Sequence, residues 1–228
     1  MKNWRQWLMA ATVSASLVAC GGGADPLMNV DANGGTQFDP AVLAETLAAM
    51  PTETLSTGEA ASLAYMREEE KLAQDVYAAL DSAWSSGTKT FGNITQSEAS
   101  HTEAVRQLIA RYELTDPVGQ NAAGVFTNTT LQQLYTDLVA AGQPSLVAAL
   151  QVGVEIEELD IKDIQSALDD TPIDNADITM VYDNLMKGSR NHLRSFYKAL
   201  LKAGGSYTPK YISQDAFDAI VNSAIERG

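Results

Sequence analysis

The stretch that decides the fold is MREEEKLAQDVY, residues 66–77. It belongs to a helical pattern in which apolar residues recur every three to four positions from Leu63 to Leu80. Glu70 occupies one of the positions on this apolar stripe. A carboxylate is costly to bury without a partner, so Glu70 needs a partner in the core.

Three more segments show the same apolar spacing, and polar residues interrupt each of them near its middle. The interrupting residues are Glu98 and His101 in the second helix, Glu157 in the third, and Ser189 and His192 in the fourth. Three carboxylates and two imidazoles would therefore meet in one core. A bound metal cation is the simplest partner for them, because it neutralises the carboxylates and replaces their lost hydration.

The spacing of these residues supports a shared site. Glu98 and His101 are three residues apart and therefore project from one face of a helix. The chain also resembles two copies of one unit, because 28 residues separate Glu70 from Glu98 and 32 separate Glu157 from Ser189. The two histidines of the sequence follow at equivalent places in the two halves.

Composition narrows the class of protein. The chain has 228 residues, of which 45% are hydrophobic, as in a soluble globular protein. Its 29 acidic and 15 basic residues give a net charge of −14, so nucleic acid is not an expected partner. The single cysteine excludes disulfides within the chain, cysteine-rich zinc sites and cysteinyl iron–sulfur clusters.

Helix start and stop patterns predict an all-α chain, and no strand-like alternation stands out. Four long helices with short additional ones are typical of a helical bundle. We expect long helices from the Ser56–Glu59 capping box to about Trp84, from Asn93 or Thr95 to about Glu113, from Pro144-Ser145 to about Leu168, and from Ala176 to Ala203, with short helices over 39–50 and 129–141 and after Ser213.

The N-terminus has the pattern of an export signal. Lys2 and Arg5 precede an apolar run, Trp7 to Ala19, that is too short to span a bilayer comfortably. The run ends in LVAC at Cys20, which resembles a bacterial lipobox, in which the cysteine is acylated and becomes the mature N-terminus. The alternative is an ordinary cleaved signal followed by an unrelated cysteine.

The expected organisation of the chain follows from this N-terminus. Residues 1–19 are predicted to be a lipoprotein signal peptide, residues 20–38 a flexible tether, and residues 39–228 a helical domain with its core in 55–205. Removal of the signal peptide takes away two of the 15 basic residues and no acidic one, which leaves a net charge of −16. The expected location is the bacterial cell envelope, facing the periplasm, and the absence of aspartate directly after Cys20 favours the outer membrane.

Four ordered segments are more specific together than any one motif: Met66–Tyr77, Ser97–His101, Ile156–Ile161 and Gly188–Leu193. They resemble the domain of unknown function 2202 family, a bacterial and archaeal branch of the ferritin-like superfamily. The likeness covers about Leu55 to Ile220. A ferritin-like di-metal site takes a glutamate from each of two helices and a Glu-x-x-His from each of the other two. The resemblance implies an all-α, ferritin-like four-helix bundle with short extra helices.

The resemblance also implies a ligand set and a metal. The implied ligands are Glu70, Glu98, His101, Glu157 and His192. Ser189 stands where a typical di-iron protein has glutamate, and Glu69 or Asp160 is the candidate additional ligand that replaces the missing carboxylate. Oxygen ligands with two imidazoles suit iron, in a di-iron or mono-iron centre, or manganese, and zinc and copper are the alternatives.

Two classes of function fit these expectations. The first is a lipid-anchored metal protein with oxidase or peroxide-reducing activity. The second is a non-enzymatic metal-binding or structural envelope protein with a degenerate site, because fold analogy alone does not establish catalysis. A metal-free buried network tied by Arg67 or Arg106 is the alternative to a metal centre. Glu68 and Glu158 are expected to be solvated, and the expected partners are the membrane and a second copy of the chain in a homodimer.

Overall fold

The structure of the chain, a computed structural model, describes residues 27–170 and 173–227. The predicted signal peptide, 1–19, and the predicted lipidation residue Cys20 lie outside these residues. The described residues form seven helices and two short strands. In chain order they are β1 Met28–Val30, β2 Thr36–Phe38, α1 Pro40–Ala49, α2 Thr57–Trp84, α3 Thr90–Arg111, α4 Thr129–Gly142, α5 Leu146–Asp170, α6 Ala176–Lys202 and α7 Gln214–Val221.

Local sequence and packing together determine where the long helices begin. The Ser56 hydroxyl accepts from Glu59 N at the start of α2, and the Glu59 carboxylate accepts from Ser56 N at 2.8 Å, which confirms the predicted capping box. Helix α3 begins at Thr90, earlier than the predicted start within 93–95. The additional residues bury Phe91 against aromatic rings of α2 and α6, so tertiary packing extends the helix.

The four long helices pack against one another. Contacts are most extensive between α2 and α3 and between α5 and α6, and further contacts join α3 to α6 and α2 to α5. The chain is mostly helical, which confirms the predicted all-α class. Across the two described ranges, no helix combines the length and the apolar character that a bilayer-spanning segment needs.

The described chain begins with a β-hairpin, which we term the strap (residues 28–38). Its strands are antiparallel, with Met28 opposite Phe38. Both of these side chains and Thr36 are buried, and β2 packs along α3. The prediction of a flexible tether over 20–38 is therefore wrong for the strap, as is the expectation of no strands. Strands of three residues are too short to produce a visible alternation, and packing on α3 holds them in place.

The turn of the strap, residues 31–35, is held against α6. A carboxylate oxygen of Asp31 accepts from Asn33 N at 2.6 Å, which closes the turn locally. Gly34 has a φ of +86°, and a Cβ at this position would collide with Ser195 of α6. The turn therefore requires glycine both for its backbone conformation and for its close approach to the helix.

Two glutamates that were expected to be solvated are buried instead. Glu68 of α2 accepts from Asn128 N at 2.9 Å, at the start of α4. Glu158 of α5 accepts from the backbone N–H groups of 210–212. The expectation for both residues is wrong because each carboxylate satisfies backbone donors of a loop that lies over its helix.

Candidate metal centre

Five side chains predicted as ligands converge in the core. Glu70 comes from α2, Glu98 and His101 from α3, Glu157 from α5 and His192 from α6. Each of them is at most 1% exposed. The structure therefore brings the five predicted residues together in one site that is shielded from bulk water.

Glu98 lies between the two imidazole rings. Its Oε2 is 3.0 Å from His101 Nδ1, and its Oε1 is 2.7 Å from His192 Nδ1. Each of the other carboxylates flanks one ring: Glu70 Oε2 is 3.4 Å from the Nδ1 of His101, and Glu157 Oε2 is 3.5 Å from the Nδ1 of His192. Carboxylates and imidazoles therefore alternate across the site.

Several buried atoms of this site have no hydrogen-bond partner. They are Glu70 Oε1, Glu98 Oε1, Glu157 Oε2 and His192 Nδ1. The 2.7 Å approach between Glu98 Oε1 and His192 Nδ1 is an ion-pair distance, but the two groups are not aligned as a hydrogen bond. One ligand atom from each of Glu98, His101 and His192 lies within 4.8 Å of the other two. Carboxylate oxygens and imidazole nitrogens this close together can ligate one cation, so the donor set fits a metal ion.

Burial and mutual charge distribute the protons of the site unequally. Burial alone would raise the pKa of Glu98, but the charges of His192 and His101 outweigh it and hold this pKa well below its usual range. Burial raises the pKa of Glu70 to about 7 and that of Glu157 to about 7, although the neighbouring imidazole opposes it in each case. Burial opposes protonation of the imidazoles, but the carboxylates raise the pKa of His101 to about 10 and that of His192 to about 9. Without metal, the imidazoles therefore balance the charge of Glu98.

The far edges of both imidazole rings meet a residue that the sequence pattern did not indicate. Thr36 of the strap is buried, and its Oγ1 lies 3.1 Å from His101 Nε2 and 2.9 Å from His192 Nε2. The rings are stacked, with centroids 5.3 Å apart and planes inclined by 17°. No local pattern could reveal Thr36, because 65 and 156 residues separate it from the two histidines.

A glycine in α6 permits the close approach of these groups. A Cβ at Gly188 would lie 2.6 Å from His101 Cε1 and 3.0 Å from Thr36 Oγ1. Glycine inside a helix lowers its stability by roughly 1 kcal/mol relative to alanine. Glycine is nevertheless required at position 188, because any side chain there would displace the imidazole ring of His101.

Two further residues define the half of the site around His192. Tyr77 OH donates to Glu157 Oε1 at 2.7 Å, which leaves the second carboxylate oxygen facing the site. Ser189 donates its hydroxyl proton to Leu185 O at 3.2 Å within its own helix. Ser189 therefore does not replace the carboxylate that a typical di-iron protein has at this position.

Glu69 and Asp160, the predicted additional ligands, are buried beside the site. Neither carboxylate oxygen of Glu69 has a hydrogen-bond partner among the described residues. Burial, together with the charge of Asp163, holds the pKa of Glu69 well above its usual range. Burial, together with the charge of Glu69, holds the pKa of Asp160 well above its usual range as well. Like Glu70 and Glu157, neither residue belongs to the group of Glu98, His101 and His192 whose ligand atoms meet within 4.8 Å. They form an acidic flank of the centre.

The two arginines considered as partners for the buried carboxylates are engaged elsewhere. Arg67 pairs with Asp116 at 3.1 Å and also donates to Thr102. Arg106 pairs with Glu103 at 2.6 Å on the exposed face of α3. Neither arginine therefore ties the buried carboxylates, because both guanidinium groups bind other carboxylates; the imidazoles of His101 and His192 lie at ion-pair distance from Glu98 in their place.

Comparisons with known proteins identify relatives across most of the chain. A family model described as "Uncharacterized protein domain (DUF2202)" matches residues 59–224, which include all five predicted ligands. "Uncharacterized protein MJ0754" from Methanocaldococcus jannaschii is 45% identical over 184 residues, which span 81% of this chain and 97% of that protein. A crystal structure of hypothetical protein MJ0754 from Methanococcus jannaschii is similar with a TM-score of 0.74 and 45% identity, over 78% of this chain and 99% of the other. The chain therefore belongs to the DUF2202 family.

Proposed function

We propose that this protein is a ferritin-like metal protein in which a four-helix bundle holds iron or a similar transition metal. The observation that carries the proposal is that Glu98, His101 and His192, all buried, each place one ligand atom within 4.8 Å of the other two. Buried oxygens of Glu70 and Glu157 nearby have no hydrogen-bond partner among the described residues. Burial of such groups is costly unless a cation occupies the space between them. The mutual packing of α2, α3, α5 and α6, each of which contributes a candidate ligand, supports the bundle arrangement.

Glu98, His101 and His192 are the residues best placed to hold the metal first. Glu98 presents one oxygen to each imidazole, which suits a carboxylate that chelates one cation or bridges two. Glu70 and Glu157 would complete the ligand set on either side. The remaining buried carboxylates, on the acidic flank, are available to a second cation.

The donor set favours iron or manganese. It combines hard carboxylate oxygens with two imidazole nitrogens and contains no thiolate. Manganese and iron prefer this mixture to a sulfur-rich one. Zinc and copper also bind imidazole, so metal analysis has to distinguish all four.

The surroundings of the site favour oxidase or peroxide-reducing activity on small molecules. Bound iron would supply redox chemistry toward oxygen or peroxide. The burial of the ligands restricts access to small molecules. Without metal, the pKa values of Glu70 and Glu157 are about 7 each, so a cation that binds these carboxylates near neutral pH would displace the protons they hold. Tyr77 keeps Glu157 oriented through its phenolic proton.

A non-enzymatic metal-binding or structural role is the second candidate, and Ser189 favours it. Its hydroxyl binds Leu185 O, so the half of the site around His192 has Glu157 but lacks a second carboxylate of its own. The complete ferritin-like ligand set holds two metal ions, whereas a single metal held for structure needs only one closed set of ligands. A spectral change when oxygen or peroxide is added to the iron-loaded protein supports the enzyme. An inert iron spectrum supports the non-enzymatic role.

Metal analysis of protein purified without chelator tests the metal proposal. We expect the wild-type protein to retain iron or manganese, and Glu98→Gln to lose it, because this variant preserves the side-chain shape and removes the charge. Glu103→Gln is the matched control, since Glu103 lies on the exposed face of the same helix. A wild-type protein that takes up none of the four metals contradicts the proposal.

Lipid anchoring at Cys20 is a separate part of the proposal and rests on the pattern of residues 1–20. It would place the domain in the bacterial envelope, facing the periplasm, with the outer membrane as its partner. We expect the Cys20→Ala protein to remain unprocessed or to become soluble, which detergent phase partitioning detects. The substitution should also abolish labelling with palmitate. Partitioning that the substitution does not change contradicts the anchor.

A further inference from the structure

We infer that Thr36 is a positioning residue that keeps both imidazole rings protonated at Nε2, so that both Nδ1 atoms face the carboxylates as metal ligands. The inference deepens the proposed metal-binding function and rests on it. Thr36 belongs to the strap and lies outside the residues that the family model matches.

The geometry places one oxygen against two nitrogens. Thr36 Oγ1 lies within hydrogen-bond distance of the Nε2 atoms of both rings, at 3.1 Å from His101 and 2.9 Å from His192. The threonine is fully buried, so water does not compete for these bonds. Metal-binding histidines commonly donate their second ring N–H to a neighbouring acceptor, which fixes the ring orientation and the tautomer. Here one side chain serves both rings.

The hydrogen-bond capacity of a hydroxyl decides what this contact does. Its oxygen has two lone pairs and can accept Nε2–H from both rings, which leaves a lone pair on each Nδ1 for a cation. If Thr36 donated its own proton to one Nε2, that neutral ring would carry its proton on Nδ1 and would offer no ligand. Only the first arrangement supplies two nitrogen ligands. Without metal, His101 Nδ1 donates to Glu98 Oε2 at 3.0 Å, a proton that a bound cation would replace, whereas His192 Nδ1 has no hydrogen-bond partner among the described residues.

The strap holds Thr36 in place through both histidine helices. Thr36 N donates to Ser97 Oγ of α3 at 2.9 Å. On α6, Ser195 donates to Asn33 O in the turn of the strap. The hydroxyl is therefore positioned relative to α3 and α6 together, which are the helices that carry the two imidazoles.

A space-filling role for Thr36 is the alternative. Valine has nearly the same shape as threonine but has no hydroxyl, whereas serine keeps the hydroxyl and lacks one methyl group. If Thr36 only fills space, Thr36→Val behaves as the wild-type protein and Thr36→Ser is the impaired variant. If the oxygen positions the rings, this order is reversed.

Zinc titration combined with nitrogen-15 NMR of the histidine side chains tests the inference, because Zn(II) is diamagnetic. In the wild-type protein and in Thr36→Ser, we expect both rings to carry their proton on Nε2 and to bind zinc through Nδ1. In Thr36→Val, we expect the zinc affinity to fall about 10- to 100-fold, the usual effect of losing a partner of a metal-binding histidine. Gln37→Val is the matched control, since it places the same side chain on the exposed face of β2.

Two results would overturn the inference. One is a Thr36→Val protein that binds zinc as tightly as the wild type with the same ring protonation. The other is a zinc-loaded wild-type protein in which a histidine ring carries its proton on Nδ1 and none on Nε2. If the wild-type protein binds no metal, the proposed function fails, and spectra of the metal-free protein decide the role of Thr36 separately. Two slowly exchanging Nε2–H signals in the metal-free wild-type protein, both lost in Thr36→Val, support the role of Thr36. Their absence from the wild-type protein contradicts this role, whether or not the variant folds.

Discussion

The two halves of the candidate centre are built from similar helical units but contribute different numbers of carboxylates to the histidines. In the half formed by α2 and α3, His101 has a carboxylate on either side, with Glu70 at 3.4 Å and Glu98 at 3.0 Å. In the half formed by α5 and α6, Ser189 occupies the place equivalent to Glu98 and bonds within its own helix. The imidazole of His192 is instead 2.7 Å from Glu98. One carboxylate therefore serves both halves.

This difference shows how two similar helical units can share one carboxylate and keep a common site. Because the two rings stack with centroids 5.3 Å apart, one carboxylate can reach the Nδ1 atoms of both. The half formed by α5 and α6, whose own carboxylate is Glu157, then also depends on Glu98 of the other half. The effects of single substitutions should therefore depend on how many rings each carboxylate contacts.

The largest effect is expected for the shared carboxylate. Glu98→Gln should weaken Mn(II) binding by more than about 100-fold, because loss of even an outer partner of a ligand costs about 10- to 100-fold. Glu70→Gln and Glu157→Gln should each weaken it by only about 10-fold, since each flanks one ring. Anaerobic calorimetric titration measures all three, with Glu103→Gln as the exposed control. Equal losses for the three buried glutamates would contradict the shared role of Glu98.

A second carboxylate in the half formed by α5 and α6 should give the two halves the same number of candidate ligands. We expect Ser189→Glu to raise metal stoichiometry from about one toward two per chain, because it completes the ferritin-like ligand set. Without metal, the added charge is buried and should lower the free energy of unfolding by about 2–4 kcal/mol. Fe(II) titration and denaturant unfolding measure the two effects. A wild-type protein that already binds two metals with equal affinity would show that Glu69 or Asp160 fills the gap.

The pH dependence should distinguish the metal-free centre from the loaded one. The folded-state pKa values of His101, about 10, and His192, about 9, lie above the usual 6.5. Stability from these groups is therefore fully present below pH 6.5 and is lost as the pH rises through 9–10. The raised pKa values of Glu70 and Glu157, about 7 each, add a loss of stability between pH 4.5 and 7. The depressed pKa of Glu98 contributes stability above pH 4.5 that is lost only toward acid pH, outside this window.

Metal binding reverses the contribution of the imidazoles, because a bound cation replaces their Nδ1 protons and its affinity rises with pH. We expect the melting temperature of the metal-free protein to fall from pH 7 to pH 10, and the difference between the loaded and the metal-free protein to widen. Thermal melting of both forms across this range measures the two trends. A difference that narrows with rising pH would contradict the assignment of both histidines as ligands.

The smallest effect is expected for Tyr77, which donates a hydrogen bond to Glu157 in the half formed by α5 and α6. Tyr77→Phe removes the proton donated to Glu157 and should lower stability by about 1–3 kcal/mol, because a buried acceptor is left unpaired. Tyr182→Phe is the matched control, since this buried tyrosine bonds to Ser62 away from the ligands. Only Tyr77→Phe should also change metal affinity, by less than about 10-fold. A similar change in both variants would mean that Tyr77 acts through packing alone.

Local patterns in the sequence were sufficient for the helices and for the residues that interrupt their apolar stripes. The Ser56–Glu59 capping box marks the start of α2, because both of its hydrogen bonds form within four residues. Glu70 and His192 could be singled out because a polar side chain on an apolar stripe stands out by periodicity alone. These inferences require no knowledge of how the helices pack.

Residues whose role depends on distant parts of the chain could not be predicted in this way. Glu68 and Glu158 belong to runs of acidic residues that suggest a solvated surface, and only the folded chain brings loop N–H groups to them. Thr36 lies in a three-residue strand within a Gly-rich segment that resembles a tether. Its environment comes from α3 and α6, which follow much later in the sequence.

The strap has a consequence for the order in which the molecule assembles. Thr36 and His192 are 156 residues apart in the sequence, whereas each of the pairs α2–α3 and α5–α6 joins neighbouring helices. Contacts between distant residues close large loops at a cost in chain entropy and slow folding. We therefore expect the four long helices to associate first and the strap to dock afterwards.

Pulsed hydrogen exchange during refolding can follow this order at one atom. The amide of Thr36 donates to Ser97 Oγ only when the strap is docked, so it should become protected later than the amides within α3. Simultaneous protection would mean that the strap folds together with the helices. If docking comes last, the two imidazoles can rotate until then. The candidate metal centre would then acquire its final geometry only when the strap docks on α3 and α6, which follow it in the sequence.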